Sequence, residues 1–194
     1  GKVRGFVRAF ENLHTAGIRE IVPAYCSVMI YYDPLLLSAE QVRKAAEKAF
    51  DLTAPEEQLC RRVLHVPVCY DGVMAPDMDY VLRVTGLKRE ELLTLHTEKP
   101  FFVYMTGFTP GFPYMGELPF SIPRQKVPRR AVPPGSVGIG ASQTGIYTVE
   151  GPGEWWLIGR TPLRIFDAGR EAPFLLSAGD YVQFEPIDVE RYFL

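Results

Sequence analysis

The sequence predicts an α+β protein: an N-terminal α/β sandwich of the ferredoxin type without its first strand, then a C-terminal β-barrel or sandwich. Three observations predict it. Val3, Phe6, Val7, Phe10 and Leu13 recur at helical spacing. Val28, Ile30 and Tyr32, and later Leu64, Val66, Val68 and Tyr70, alternate as strand residues do. From Phe101 onward no helical period is present, and prolines and glycines punctuate short apolar runs.

Taken in order, the first helix is expected to stop near Gly17. Ile18 to Pro23 and Ser27 to Tyr32 read as an antiparallel pair that ends at Asp33-Pro34. Ser38 with Gln41 three residues later is a capping-box signature, and Val42, Ala45, Ala46 and Ala49 give the following helix an apolar face. The polar stretch Asp51 to Glu57 precedes the strand around Val66. Helix, two strands, helix and strand make most of a ferredoxin-type sandwich, whose opening strand is missing ahead of the first helix. Asp77 is placed to cap a helix through Thr85 that stops at Gly86, and Lys88 to His96 reads as another. The runs Val137–Ile139, Trp155–Ile158, Leu163–Phe166 and Tyr181–Phe184 are the expected barrel strands. The predicted organisation is therefore an N-terminal domain over 1–75, a helical connector over 76–98 and a β-barrel over 99–194.

Composition narrows the function. With 194 residues and 47% hydrophobic content the chain can bury substantial cores. A net charge of −2, with no basic block beyond Arg129-Arg130, does not support nucleic-acid binding. Cys26, Cys60 and Cys69 are odd in number and lack CxxC spacing, which argues against a disulfide framework or a zinc site and fits a reducing cytoplasm. No apolar run reaches the roughly 20 residues of a membrane helix, and no signal-peptide pattern opens the chain.

Familiar catalytic signatures are missing too. There is no phosphate loop, so no ATP site is expected on this chain. Gly138-Ile139-Gly140 begins like a dinucleotide fingerprint, but Gln143 replaces the third glycine and no helix pattern follows. Ser142 lacks the Gly-x-Ser-x-Gly context of a hydrolase elbow. His14 and His65 read as surface or core histidines, whereas His96 closes a helix where the barrel begins and could face a seam or favour the helix C-terminus.

Other segments carry candidate chemistry. Gly107 to Gly116 concentrates glycines, prolines, Phe108, Phe112 and Tyr114 in a stiff loop that either presents its rings or plugs a core. Gln143-Thr144-Gly145-Ile146-Tyr147 places an amide, a hydroxyl and a phenol around a glycine, suited to a small polar ligand or to a plain hairpin. Arg160, in Gly159-Arg160-Thr161-Pro162, suits a carboxylate or a surface ion pair. Pro123-Arg124 and Pro128-Arg129-Arg130 form an extended basic loop.

Together, Gly107–Tyr114, Val132-Pro133-Pro134-Gly135-Ser136-Val137, Gln143–Tyr147 and Trp156–Leu163 resemble the family of allophanate hydrolase subunit 1, KipI and the 5-oxoprolinase B subunit, which is related to carboxyltransferase domains. Pro23-Ala24-Tyr25, Tyr32-Asp33-Pro34 and Pro67-Val68-Cys69-Tyr70-Asp71-Gly72 extend the resemblance into the N-terminal half. Two departures stand out: the opening strand with its Gly-Asp is absent, and Glu117 and Glu154 replace common glycines, a change that looks peripheral.

The resemblance implies a cyclophilin-like barrel. It further implies ATP-dependent opening of the 5-oxoproline lactam to glutamate, carried out in a hetero-oligomer with an A subunit, and with a C subunit homologous to this chain. No cofactor is expected on this chain; the ATP belongs to the complex. Because a lactam is a poor electrophile, phosphorylation of its oxygen followed by water attack is a workable route, and the tetrahedral centre then needs stabilisation. Gln143, Tyr147 and Arg160 are the expected catalytic residues around one pocket; His96, Phe108, Pro110, Phe112, Tyr114, Arg124 and Thr144 are expected at the substrate or interface; no metal is expected. The chain alone is expected to be inactive for want of a base. Rival readings are a KipI-like inhibitor of a sensor histidine kinase and a prolyl isomerase suggested by fold alone.

Overall fold

The structure is a computed structural model that describes residues 2–53 and 62–194. Cys60 and the end of the Asp51–Glu57 stretch lie outside the described residues. The chain divides into two compact units, Gly1–Arg61 and Arg62–Leu194.

In the first unit, α1 (Lys2–Glu11) packs on α2 (Ala39–Asp51), and β1 (Ile18–Pro23) pairs antiparallel with β2 (Val28–Tyr32). The expected apolar stripe of α1 is present, with Phe10 buried and Phe6 against it at 5.8 Å. Gly17 does not stop this helix. At φ +93° it opens β1, where an added Cβ would press on Leu37 at 3.0 Å. Both halves of the capping box form: the Gln41 amide donates to Ser38 Oγ at 3.3 Å, and the Ser38 amide to Gln41 Oε1 at 2.8 Å. Asp33 ends β2 by accepting from the Leu35 amide and from Arg19.

The strand expected to complete this sandwich goes elsewhere. β3 (Val63–Cys69) belongs to the second unit, so the unit boundary falls before residue 62 and not at 75 or 98. The alternation is real, since Leu64, Val66, Val68 and Tyr70 share one buried core. Its partner, however, is distant in sequence: β3 runs parallel to β11 (Tyr181–Ile187) in register from Val63↔Tyr181 to Cys69↔Ile187. Parallel neighbours require a crossover, and here it spans most of the barrel.

That barrel is closed. Its other strands are β4 (Phe101–Thr106), β5 (Pro113–Gly116), β7 (Ser136–Gly140), β8 (Gln143–Ile146) and β10 (Trp156–Arg160), in the order β10-β3-β11-β4-β5-β8-β7. A two-stranded ribbon, β6 (Arg129–Val132) with β9 (Gly151–Gly153), lies outside this ring. Closure removes strand edges. The run Leu163–Phe166 forms no strand and contributes only an isolated bridge from Phe166 to Phe174.

The supposed connector is part of this same unit. After a 3-10 turn at Gly72–Met74 come α3 (Met78–Thr85), packed on β10, and α4 (Arg89–Thr97), packed on β11. Val81, Leu92 and His96 from these helices are fully buried. Gly86 caps α3 in the left-handed conformation, as expected. Asp77 makes no side-chain cap; its carboxylate accepts from the Leu157 amide at 2.6 Å and pairs with Arg129 at 2.5 Å. A short helix, α5 (Val189–Tyr192), ends the unit, with Asp188 as its cap.

Candidate functional site

The loop between β4 and β5 organises the most chemically distinctive surface. Thr148 Oγ1 donates to the Pro110 carbonyl at 2.7 Å, and the Gly107 and Phe112 amides close the turn on the Phe112 and Thr109 carbonyls respectively. Gly111 takes a positive φ, which glycine accommodates. Phe108 does so as well, at φ +68°, while remaining 61% exposed. An exposed aromatic held in the left-handed region is a costly arrangement of the kind found at ligand and partner sites.

Phe112 from the same loop is buried. Its ring meets Phe108, Tyr114, Tyr147 and Trp155 edge-on, with centroids 4.9–5.7 Å apart. The loop thus does both things that the sequence leaves open: Phe112 plugs a core and Phe108 presents itself. Tyr147 lies at the back of this cluster, its hydroxyl accepting weakly from the Trp155 amide at 3.4 Å. A side chain at Gly153 would collide with that hydroxyl, which accounts for glycine there.

These rings wall a cleft of about 260 Å³ whose mouth carries Arg124 and Glu154. The two charged groups stand 3.8 Å apart, and the Arg124 guanidinium lies 5.9 Å from the Trp155 ring centre. Burial raises the pKa of Tyr114 above the usual phenol value, with Arg124 opposing the shift. Burial raises that of Tyr147 too, against the hydrogen bond from the Trp155 amide. Both phenols are therefore protonated donors at neutral pH.

Five expected site residues thus meet in one place: Phe108, Phe112, Tyr114, Arg124 and Tyr147. The expected grouping of Tyr147 with Gln143 and Arg160 does not form there. Gln143 pairs with Gly140 at one end of β7 and Arg160 with Ser136 at the other, about 13 Å apart along the strand. Arg160 Nε donates to the Pro134 carbonyl at 3.0 Å. Pro110 lines a neighbouring groove with Phe108.

His96 and Thr144 meet, but inside the barrel. Thr144 Oγ1 donates to the Gly138 carbonyl at 3.1 Å, so it accepts from His96 Nε2 at 2.8 Å; Nδ1 is then unprotonated and accepts from the Tyr70 hydroxyl at 2.8 Å. Every member is satisfied and His96 stacks on Phe184 at 4.4 Å, so this is a core network and not a seam. His65 makes a surface pair with Glu185 at 2.7 Å.

Glu154 and Trp155 are the site residues that sequence reasoning misses. Glu154 departs from a glycine and so reads as peripheral, yet it faces Arg124; Trp155 reads only as part of an apolar run. The proximity of Arg124 and Glu154, far apart in the chain, has no local signal. Gly138 and Gly140 lie within β7, which turns into β8 and not into a helix, so the dinucleotide reading lapses. Among the described residues no cluster of His, Cys, Asp and Glu could hold a metal ion, and no helix is long and apolar enough to cross a membrane.

Comparison with known proteins gives this chain its relatives. Residues 1–176 match the family described as carboxyltransferase domain, subdomain C and D. The chain is 38% identical to the 5-oxoprolinase B subunit from Bacillus subtilis, covering 98% of this chain and 86% of that protein. It is 46% identical to the 5-oxoprolinase B subunit from Escherichia coli O157:H7 over 64% of this chain and 58% of that protein. A solved structure of a conserved uncharacterized protein, PH0987 from Pyrococcus horikoshii, superposes with a TM-score of 0.64 at 36% identity, covering 98% of this chain and 88% of that one. The chain therefore belongs to the carboxyltransferase-domain family of subdomains C and D, together with the 5-oxoprolinase B subunits.

Proposed function

We propose that the chain is the B subunit in an ATP-dependent 5-oxoprolinase, opening the 5-oxoproline lactam to L-glutamate together with an A subunit, and with a C subunit that carries a homologous barrel. The observation that carries this reading is the 38% identity, over nearly the whole chain, to a 5-oxoprolinase B subunit. On this reading the barrel is of the cyclophilin-like class, the first unit is a ferredoxin-like sandwich, and the protein works in the cytoplasm.

The cleft suits a supporting role in that chemistry. Arg124 offers a cation for a carboxylate, Tyr114 a neutral donor for an amide oxygen, and the rings exclude water around a small ligand. His96 is locked in the barrel core and no histidine lines the cleft, so an imidazole base is not this chain's contribution. ATP supplies the driving force, and with no phosphate loop in this sequence its binding is assigned to a partner. Phe108 is the exposed ring of the loop and suits docking of the homologous barrel subunit, because an aromatic in a stiff loop loses little entropy on burial.

Reconstitution tests this. The chain alone is expected to show no 5-oxoproline-dependent ATP hydrolysis, and addition of purified A and C subunits to restore both ATP hydrolysis and glutamate release. Turnover by the isolated chain after stringent purification, or none by the assembled complex, would refute the reading.

A further inference from the structure

We propose that the aromatic cleft is this chain's own binding site for a small cyclic amide bearing a carboxylate, with Arg124 holding the carboxylate and Glu154 accepting the ring N–H. The inference rests on the 5-oxoprolinase reading only for the identity of the natural ligand. The site's chemistry stands on the geometry.

Arg124 is the cation that lines the cleft. Arg129, five residues on, is tied to buried Asp77 and to the Trp155 carbonyl, and Arg160 is spent on the Pro134 carbonyl. Arg124 has only a loose counter-ion: Glu154 at 3.8 Å lies beyond hydrogen-bonding distance, and both side chains are about half exposed, at 49% and 46%. A guanidinium presented this way keeps its forked donors for a planar anion. Lys126 in the same loop and Arg130 in β6, both exposed, add positive potential that attracts one.

The rest of the cleft selects the body of the ligand. Phe108, Phe112, Tyr114 and Trp155 provide apolar faces suited to a flat ring. The volume, about 260 Å³, lies below the roughly 300–1,000 Å³ of clefts that hold drug-sized ligands, which favours a small metabolite over a nucleotide. The amide then finds complementary groups, with the Glu154 carboxylate for its N–H and the Tyr114 phenol for its oxygen. An acid–base pair on the rim of an aromatic box recognises a molecule carrying both an anion and a donor.

Isothermal titration of the full chain with three probes tests the assignment: 5-oxoproline, 2-pyrrolidinone, which lacks the carboxylate, and N-methyl-5-oxoproline, which lacks the donor. The wild-type chain should prefer 5-oxoproline over each analogue by about tenfold or more, the range for one hydrogen bond to a charged group. Arg124→Gln should erase the preference over 2-pyrrolidinone, with Arg124→Lys retaining part of it. Glu154→Leu, which removes the acceptor, should erase the preference over the N-methyl compound alone. Melting temperatures should stay unchanged, since both groups are half exposed and not tightly paired. Absence of binding by the wild-type chain, equal affinity for all three probes, or an Arg124→Gln variant that still discriminates would overturn the assignment.

The same variant separates this inference from the functional reading. If the assembled complex turns over 5-oxoproline and Arg124→Gln leaves its KM unchanged, the site is wrong and the reading stands. If the chain binds 5-oxoproline through Arg124 but no complex turns it over, the site stands and the reading fails.

Discussion

At the scale of single residues, His96 shows how much a buried polar group depends on its partners. Burial lowers its pKa from 6.5 to about 3, so the folded state holds it neutral between Tyr70 and Thr144. A depressed pKa means that the unfolded chain takes up the proton first. The stability that this group contributes is therefore complete above about pH 6.5 and is lost as the pH falls toward 3, by up to about 1.4 kcal/mol per pH unit. Urea midpoints between pH 7 and 4.5 should fall more steeply for the wild type than for His96→Leu, the difference approaching one proton. Parallel pH profiles would show that His96 is not held neutral.

Arg160 poses the opposite question at the same scale. It stands outside the aromatic cleft, so Arg160→Ala should change 5-oxoproline binding by the isolated chain less than about twofold. A role shared with a partner would show up instead as a loss of kcat in the complex. How far the sequence reveals such residues depends on distance along the chain. Ser38 and Gln41 are three residues apart and their capping box is visible in the letters. Asp77 reaches Arg129 and Leu157 across 52 and 80 residues, and His96 reaches Thr144 across 48, so their roles are set by tertiary packing that no local pattern encodes.

Among elements, the β4–β5 loop divides its two phenylalanines between different tasks. Phe112, 2% exposed and ringed by Tyr114, Tyr147 and Trp155, cannot be made charged without leaving an unpaired ion in the cluster. Phe112→Asp should therefore lose cooperative unfolding altogether. Phe108 is exposed and sits at a positive φ, where glycine carries no steric penalty of roughly 1–2 kcal/mol. Phe108→Gly should keep or slightly raise the melting temperature, its lost edge contact with Phe112 offsetting the relief, while weakening co-elution with the barrel partner at least tenfold. Undiminished co-elution would remove Phe108 from the interface. Composition marks the loop as built for presentation, but not which ring faces outward; that follows from the register of β5 against β8, which turns Tyr114 and Phe112 toward Gly145.

At the scale of the whole molecule, β3 decides where one unit ends and the next begins. Its alternation of Leu64, Val66, Val68 and Tyr70 is readable, as are the barrel strands around Val137, Trp156 and Tyr181, but alternation states only that one face is buried and not against what. Helix, two strands, helix and strand in succession favour a local sandwich, whereas pairing along all of β11 buries Val66 and Val68 completely inside a closed ring. The consequence is testable by truncation. A fragment of residues 62–194 retains every barrel strand together with α3, α4 and α5, and should unfold in one cooperative transition with the near-ultraviolet signature of packed aromatics. A fragment beginning at 76 or at 99 lacks β3, which opens the ring between β10 and β11 and exposes the edges of both strands. Both shorter fragments should aggregate or remain loosely structured, and extending either one back to residue 62 should recover the transition. A fragment of 99–194 that melts cooperatively and stays monomeric would mean that the barrel closes without β3, and that the boundary belongs further along the chain.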